Sequence, residues 1–426
     1  MTGKFKNRWL IALSGLGIHI CIGSVYAWSV FSKPLQSKFG WSLAETQLTF
    51  GLSIFTLGMS AAAMGHLVER QGPRFGGLVS AVFWCLGLAG SGYAASPWIE
   101  DPTSRLYLLY VSYGVIGGVG LGTGYVTPVS TLIKWFPDRR GLATGLAIMG
   151  FGFASFLGAP LISALIESLG IDWTFWLLAM LYLAVMGASS LYLEPPPADW
   201  CPPQRDLAPS THKKVIDLMP MDAAGAVRTL PFYGLWVMMF INISCGIALI
   251  SVASPLIQEM TGISAIAAAA VVGMNGLFNG AGRICWATIS DWLGRPWTYV
   301  LFFLIEIICF WGLPEIHNVL IFQFAVYLIM TCYGGGFATL PAYIGDLFGT
   351  RQVSAIHGYV LTAWAIAGIS GSTLAAYLRD LTGTYSNMLR VFSGFFGVAL
   401  LVSLAMMFFV RREISRQQQD RPQALS

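Results

Sequence analysis

The sequence predicts an all-α membrane protein: twelve transmembrane helices in two six-helix halves. Three observations carry that expectation. Only 10% of the 426 residues are charged and 56% are hydrophobic, whereas a soluble domain carries about 25% charged residues. Apolar runs long enough to cross a bilayer, about 20 residues each, recur twelve times. A polar, proline-rich stretch divides them six and six, and short motifs of the first half return in the second.

The 24 Lys/Arg and 20 Asp/Glu cannot coat soluble domains for a chain of this length, and so apolar a chain is not disordered. The net charge of +4 is scattered over short loops, which points to no nucleic-acid partner. The runs cover 9–31, 46–67, 75–95, 105–133, 141–166, 173–193, 232–257, 264–289, 297–314, 318–344, 353–378 and 389–410. The first is too long for a signal-peptide core and lacks a small-residue cleavage site, so it reads as a retained helix. Six of the seven cysteines fall inside spans, and none has zinc or redox spacing. They read as small packing residues, and neither metal nor cofactor is expected.

Orientation follows from the cations. With the N-terminus inside, the inner segments hold 18 of the 24 Lys/Arg and the outer loops hold Lys33, Lys38, Arg105, Arg379 and Arg390. Both termini are therefore expected in the cytoplasm. The remaining cation, Arg283, lies within the eighth span.

The stretch 194–231, which includes EPPPADWCPPQRD, reads as a cytoplasmic linker, because consecutive prolines break helices. It separates halves at 1–193 and 232–411, with a tail at 412–426. GHLVERQGPR (65–74) after the second span is echoed by ISDWLGRP (289–296) after the eighth, and TPVS (127–130) by LPAY (340–343). That duplication, twelve spans and a G-x-L-x-[DE]-R-x-G-x-R loop at Gly65, Leu67, Glu69, Arg70, Gly72 and Arg74 resemble the major facilitator superfamily. The resemblance implies a gate in which Glu69, Arg70 and Arg74, with Asp291 and Arg295 of the second half, clamp the halves on the cytoplasmic side. The alternative is that these charges only anchor loops.

In the eighth span, Asn275, Asn279 and Arg283 are spaced i, i+4, i+8, one stripe about 80° wide. A cation in hydrocarbon costs at least about 2.5–3.5 kcal/mol and normally faces a cavity or a partner. Arg offers a planar fork that matches a carboxylate, so the stripe reads as an anion site near the midplane. The competing reading is an internal ion pair with Glu306 or Asp346.

NRW (7–9), IGSVYAW in the first span, WFPDRRGLATG (135–145), TLPFYGLW (229–236) and FNGAGR (278–283) resemble the oxalate/formate antiporter family, beside the monocarboxylate transporters. By that resemblance Tyr26, Tyr125, Tyr333, Phe337 and Arg283 match pocket residues; each aromatic taken alone is more often packing than ligand contact. Where the oxalate exchanger has a second cation in helix 11, this chain has Trp364. One Arg and one Trp suit a single carboxylate with a small apolar tail, because a dianion would keep an unpaired charge in a low-dielectric site. Val30 and Asn279 stand where monocarboxylate transporters carry the Lys and Asp that serve proton coupling.

Histidine titrates near neutrality, and His19 and His357 alone lie within or at spans. His357, on a helix expected to line the cavity, is the better proton-coupling candidate; a packing histidine is the alternative, and the substrate could itself carry the proton. The spans hold no His/Asp/Glu cluster and the chain has no Walker motif, so neither an enzyme nor an ATP-driven pump is expected. The expectation is a secondary transporter of short monocarboxylates such as L-lactate or pyruvate. It would couple to protons by alternating access, as a monomer in a bacterial inner membrane, its partners being the anion, a proton and the lipid bilayer. Exchange of the oxalate:formate type is the alternative.

Overall fold

The computed structural model describes residues 6–197, 200–201 and 217–419. Most of the linker core, with Arg205, Lys213 and Lys214, lies outside the described residues, as do Lys4 and the tail beyond 419. Twelve long helical stretches run back and forth. α1 is Arg8–Gly23, a 3-10 turn Ser24–Ala27, then Trp28–Phe39. α2 is Leu43–Gln71, α3 Pro73–Ala95, and α4 runs Pro102–Leu109, a π-turn Tyr110–Gly117 and Gly118–Trp135. α5 is Arg140–Leu169, α6 Ile171–Tyr192, α7 Leu230–Thr261, α8 Ala265–Leu293 and α9 Arg295–Gly312. α10 is Val319–Phe348, α11 is Val353–Val360 and Thr362–Thr382, and α12 is Tyr385–Gln419. Eleven are long and apolar enough to cross a membrane; α8, with 29 residues, is of the same length.

Local chemistry sets the helix ends. Asn7, Asp101, Ser264 and Asn318 each accept a backbone N–H of the first turn of their helix, and Ser42 with Glu45 forms a capping box at α2. Each cap is worth about 1 kcal/mol. The repeated loop motif has a conformational cause: Gly72 and Gly294 end α2 and α8 at φ 86° and 88°, a region where a Cβ is penalised.

The packing repeats with the sequence. α1 packs on α5, α2 on α4 and α3 on α6, and six helices later α7 packs on α11, α8 on α10 and α9 on α12. The first six helices meet the second six mainly through α5 on α8 and α2 on α11.

Two segments outside the expected spans are structured. The end of the linker is held: the N–H groups of Leu218, Met219 and Met221 donate to the carbonyls of Asp346, Leu347 and Phe348 at 2.8–3.2 Å. They satisfy α10 carbonyls that a helix end leaves without partners. The tail expected from 412 continues α12 in helix to Gln419.

Candidate substrate site

The stripe on α8 turns inward. Asn275 and Asn279 are buried, and Arg283 is fully buried. Four residues apart on one helical face, Asn279 and Arg283 meet: Arg283 Nε donates to Asn279 Oδ1 at 3.0 Å. Nη1 donates to the carbonyl of Ile148 on α5 at 3.3 Å, and Nη2 is buried with no hydrogen-bond partner. The rings of Phe151 (α5) and Phe337 (α10) lie 5.6 and 5.1 Å from the guanidinium carbon, within cation–π range. Among the described residues Arg283 makes no ion pair. Asp346 is held by Arg140 and Arg295, each at 3.0 Å. Glu306 is buried on α9, where the groups it acts on are Cys245, Cys309 and Cys332.

Around the guanidinium stands a box of rings. Tyr26 is carried by the 3-10 break in α1, and Trp364 follows the break in α11 at Leu361. Such interruptions free backbone groups and are tolerated at membrane depth where protein or a cavity receives them. Tyr26 meets Phe151 at 4.9 Å, Tyr125 meets Phe151 at 5.5 Å and Trp364 at 5.3 Å, and Trp364 meets Phe337 at 4.7 Å. Tyr333 closes on Phe337 at 5.3 Å. The hydroxyls of Tyr26, Tyr125 and Tyr333 and Nε1 of Trp364 are buried without a hydrogen bond of ordinary geometry. The hydroxyls face one another and the guanidinium: Tyr26 lies by Tyr333 and Arg283, and Tyr125 lies by Arg283, so the polar atoms of the box converge on the cation. Phe151 and Ile148 were not anticipated: α5 offers there only a Gly-rich apolar run, with no polar marker. His19 lies against Tyr125, with ring centroids 5.4 Å apart, and His357 lies 5.8 Å from the same ring.

The charges of the two repeated motifs reach both side chains and backbone. Glu69 binds Lys134 at 2.6 Å and accepts the backbone N–H of Ser354, the second residue of α11, at 2.9 Å. Arg74 instead joins Glu194 at 3.1 Å, and Arg70 is exposed. Asp291 pairs with Arg295 at 2.6 Å and accepts the N–H groups of Gly141 and Leu142, at the start of α5, at 2.8 and 3.0 Å. The duplicated acids thus each cap a helix of the opposite six. An acid at a helix N-terminus meets free N–H groups and the positive dipole end. Arg140, which sequence reasoning did not place in a gate, reaches Asp346 and Asp217, both at 3.0 Å. All these contacts lie at the end of the bundle where α1 begins and α12 ends.

A twelve-helix membrane bundle with an internal repeat, a buried central cation and acid caps reaching between its two sets of six helices is a transporter, not an enzyme. The chain belongs to the Major Facilitator Superfamily, whose model matches residues 13–372 and, overlapping, 235–424. It is 28% identical over 392 residues to the oxalate:formate antiporter of Oxalobacter formigenes, covering 90% of this chain and 87% of that one. It is 24% identical to monocarboxylate transporter 12 of Rattus norvegicus, covering 89% and 81%. The fold is similar to that of the Escherichia coli fucose:proton symporter FucP, with a TM-score of 0.70 at 14% identity over 93% of this chain and 98% of that one.

Proposed function

We propose that the protein is a secondary transporter of short-chain monocarboxylates, such as L-lactate or pyruvate, moved with a proton by alternating access. The observation that carries this reading is Arg283: a fully buried cation without an ion-pair partner among the described residues, faced by the hydroxyls of Tyr26 and Tyr125. A carboxylate fits the fork, with one oxygen on Nη2 and the other toward Tyr26 or Tyr333; Phe151, Phe337 and Trp364 form an apolar wall for a small tail. Asn279, by fixing Nε, orients the fork. A second carboxylate would meet Trp364 rather than a cation. The name of the monocarboxylate relative supports the substrate class.

In this reading the halves at 1–193 and 232–411, joined by 194–231, rock about the site as a monomer. The end with both termini faces the cytoplasm of a bacterial inner membrane, and the caps made by Glu69 and Asp291, with Arg140 and Arg295 on Asp346, hold the cytoplasmic gate closed. The identity to the oxalate:formate antiporter favours a second reading, anion exchange. Proteoliposomes separate the two. Lactate uptake driven by an imposed pH gradient, with no anion inside, supports symport; uptake that needs internal formate or oxalate supports exchange and ends the symport reading.

The lone cation also makes a specificity prediction. Trp364→Lys supplies the second cation a dianion needs, worth about 1.5–3 kcal/mol for a charged hydrogen bond. Oxalate should then inhibit lactate uptake about tenfold more strongly than in the wild type. Unchanged inhibition by a folded variant contradicts the apolar-tail assignment.

A further inference from the structure

Two intramembrane histidines, His19 and His357, come from opposite sixes and converge on one tyrosine. His19 is fully buried on α1, and its ring meets Tyr125 of α4 edge-on at 5.4 Å. His357, buried on the first segment of α11, lies on the same phenol at 5.8 Å. The ring nitrogens of His19 are buried beside the backbone of Gly15 and Tyr125, and the hydroxyl of Tyr125 is buried beside Arg283. Two imidazoles from opposite sixes thus share one phenol next to a buried cation, and imidazole is the side chain that titrates near neutrality.

The groups facing this cluster are few. Arg283 of α8 is the charge that acts on His19, and His19 of α1 is the titratable group that acts on His357. Arg283 and Tyr26 face Tyr125. From α2, Glu69 reaches Ser354, three residues before His357, but its carboxylate is engaged there and by Lys134. α5 and α10 bring the rings of Phe151 and Phe337.

We propose that His19 and His357, bridged by Tyr125, take the coupled proton; this rests on the anion site at Arg283 proposed above. Coupling then follows from charge. A proton on the pair in the empty site would place a second cation beside Arg283, and a carboxylate on Arg283 cancels that repulsion. Anion and proton therefore bind cooperatively, each raising the other's affinity by the same factor. Release follows from topology: His19 and Tyr125 belong to the first six helices and His357 to the second. Parting α2 from α11 separates the imidazoles and admits water from the termini side. The proton arrives from water on the entry side, adds to an imidazole nitrogen lone pair, and leaves to water on the other side, restoring the neutral ring.

The test compares wild type, His19→Gln, His357→Gln and Glu306→Gln in proteoliposomes by two assays. One is lactate uptake driven by a pH gradient, with proton entry followed by an internal dye; the other is lactate counterflow at equal pH. In either histidine variant the ratio of gradient-driven uptake to counterflow should fall at least about tenfold, and lactate-elicited proton entry should vanish. Glu306→Gln, remote from the cluster, should keep the wild-type ratio. The inference is overturned if the histidine variants keep that ratio, if they lose both activities in parallel, or if Glu306→Gln is the variant that uncouples. A wild type that exchanges lactate but ignores the gradient overturns proton coupling while leaving the anion site intact. A wild type inactive with lactate in both assays removes the substrate reading instead.

Discussion

Arg283→Ala is expected to lower monocarboxylate transport by about 10²–10³-fold. Removing one partner of a buried, hydrogen-bonded charge pair costs about 2–5 kcal/mol, and each 1.4 kcal/mol is tenfold in affinity. Here the partner is the substrate carboxylate, which would otherwise enter a box of rings with hydroxyls alone to meet it. Arg283→Lys should recover little, because an ammonium cannot donate to Asn279, Ile148 and the anion along the planar fork. The loss should appear in uptake and counterflow alike, unlike the histidine variants. Transport at the wild-type rate by Arg283→Ala would remove the site from α8.

The second large effect is steric. Gly358 on α11 lies against the carbonyl of Ala61 on α2, and Gly141 on α5 against the carbonyl of Ala287 on α8, so a Cβ at either position would collide with backbone of the opposite six. The collisions fall between the two sets of six helices, so a larger side chain should unsettle their closure rather than either set's own packing. Overpacking costs about 1–3 kcal/mol per site, and Gly141→Leu with Gly358→Leu should add, being at separate seams. We expect the double variant to populate a state open at the termini end and to lose most of its transport. Spin labels at Gln71 and Arg351, both exposed, should report a longer distance in the double variant. An unchanged distance with full activity would show that these seams do not close the gate.

Much of this was legible from sequence because the bilayer imposes strong constraints. Twelve apolar runs and the Glu69 and Asp291 motifs follow from hydropathy and from duplication, and Arg283 stood out because a lone cation in hydrocarbon demands a partner. The aromatic positions rested on resemblance, and the structure gathers them on one guanidinium. The partners of Glu69 and Asp291 are not legible for a physical reason: both acids bind backbone N–H groups at helix starts, and a backbone amide leaves no mark in the sequence. The pairing of Arg140 with Asp346, 206 residues apart, and the contribution of Ile148 and Phe151 depend on how α5 crosses α8, which residue patterns do not encode. The contact of His19 with Tyr125 is a matter of tertiary packing alone, which the place of His19 along the chain does not show.

Direct binding to the purified protein tests the central claim, that one buried guanidinium in an aromatic box selects a single carboxylate. Labelled lactate should bind wild type, be displaced by unlabelled lactate and pyruvate, resist equal concentrations of oxalate, and fail to bind Arg283→Ala. Oxalate binding more tightly than lactate, or lactate binding undiminished in Arg283→Ala, would contradict it.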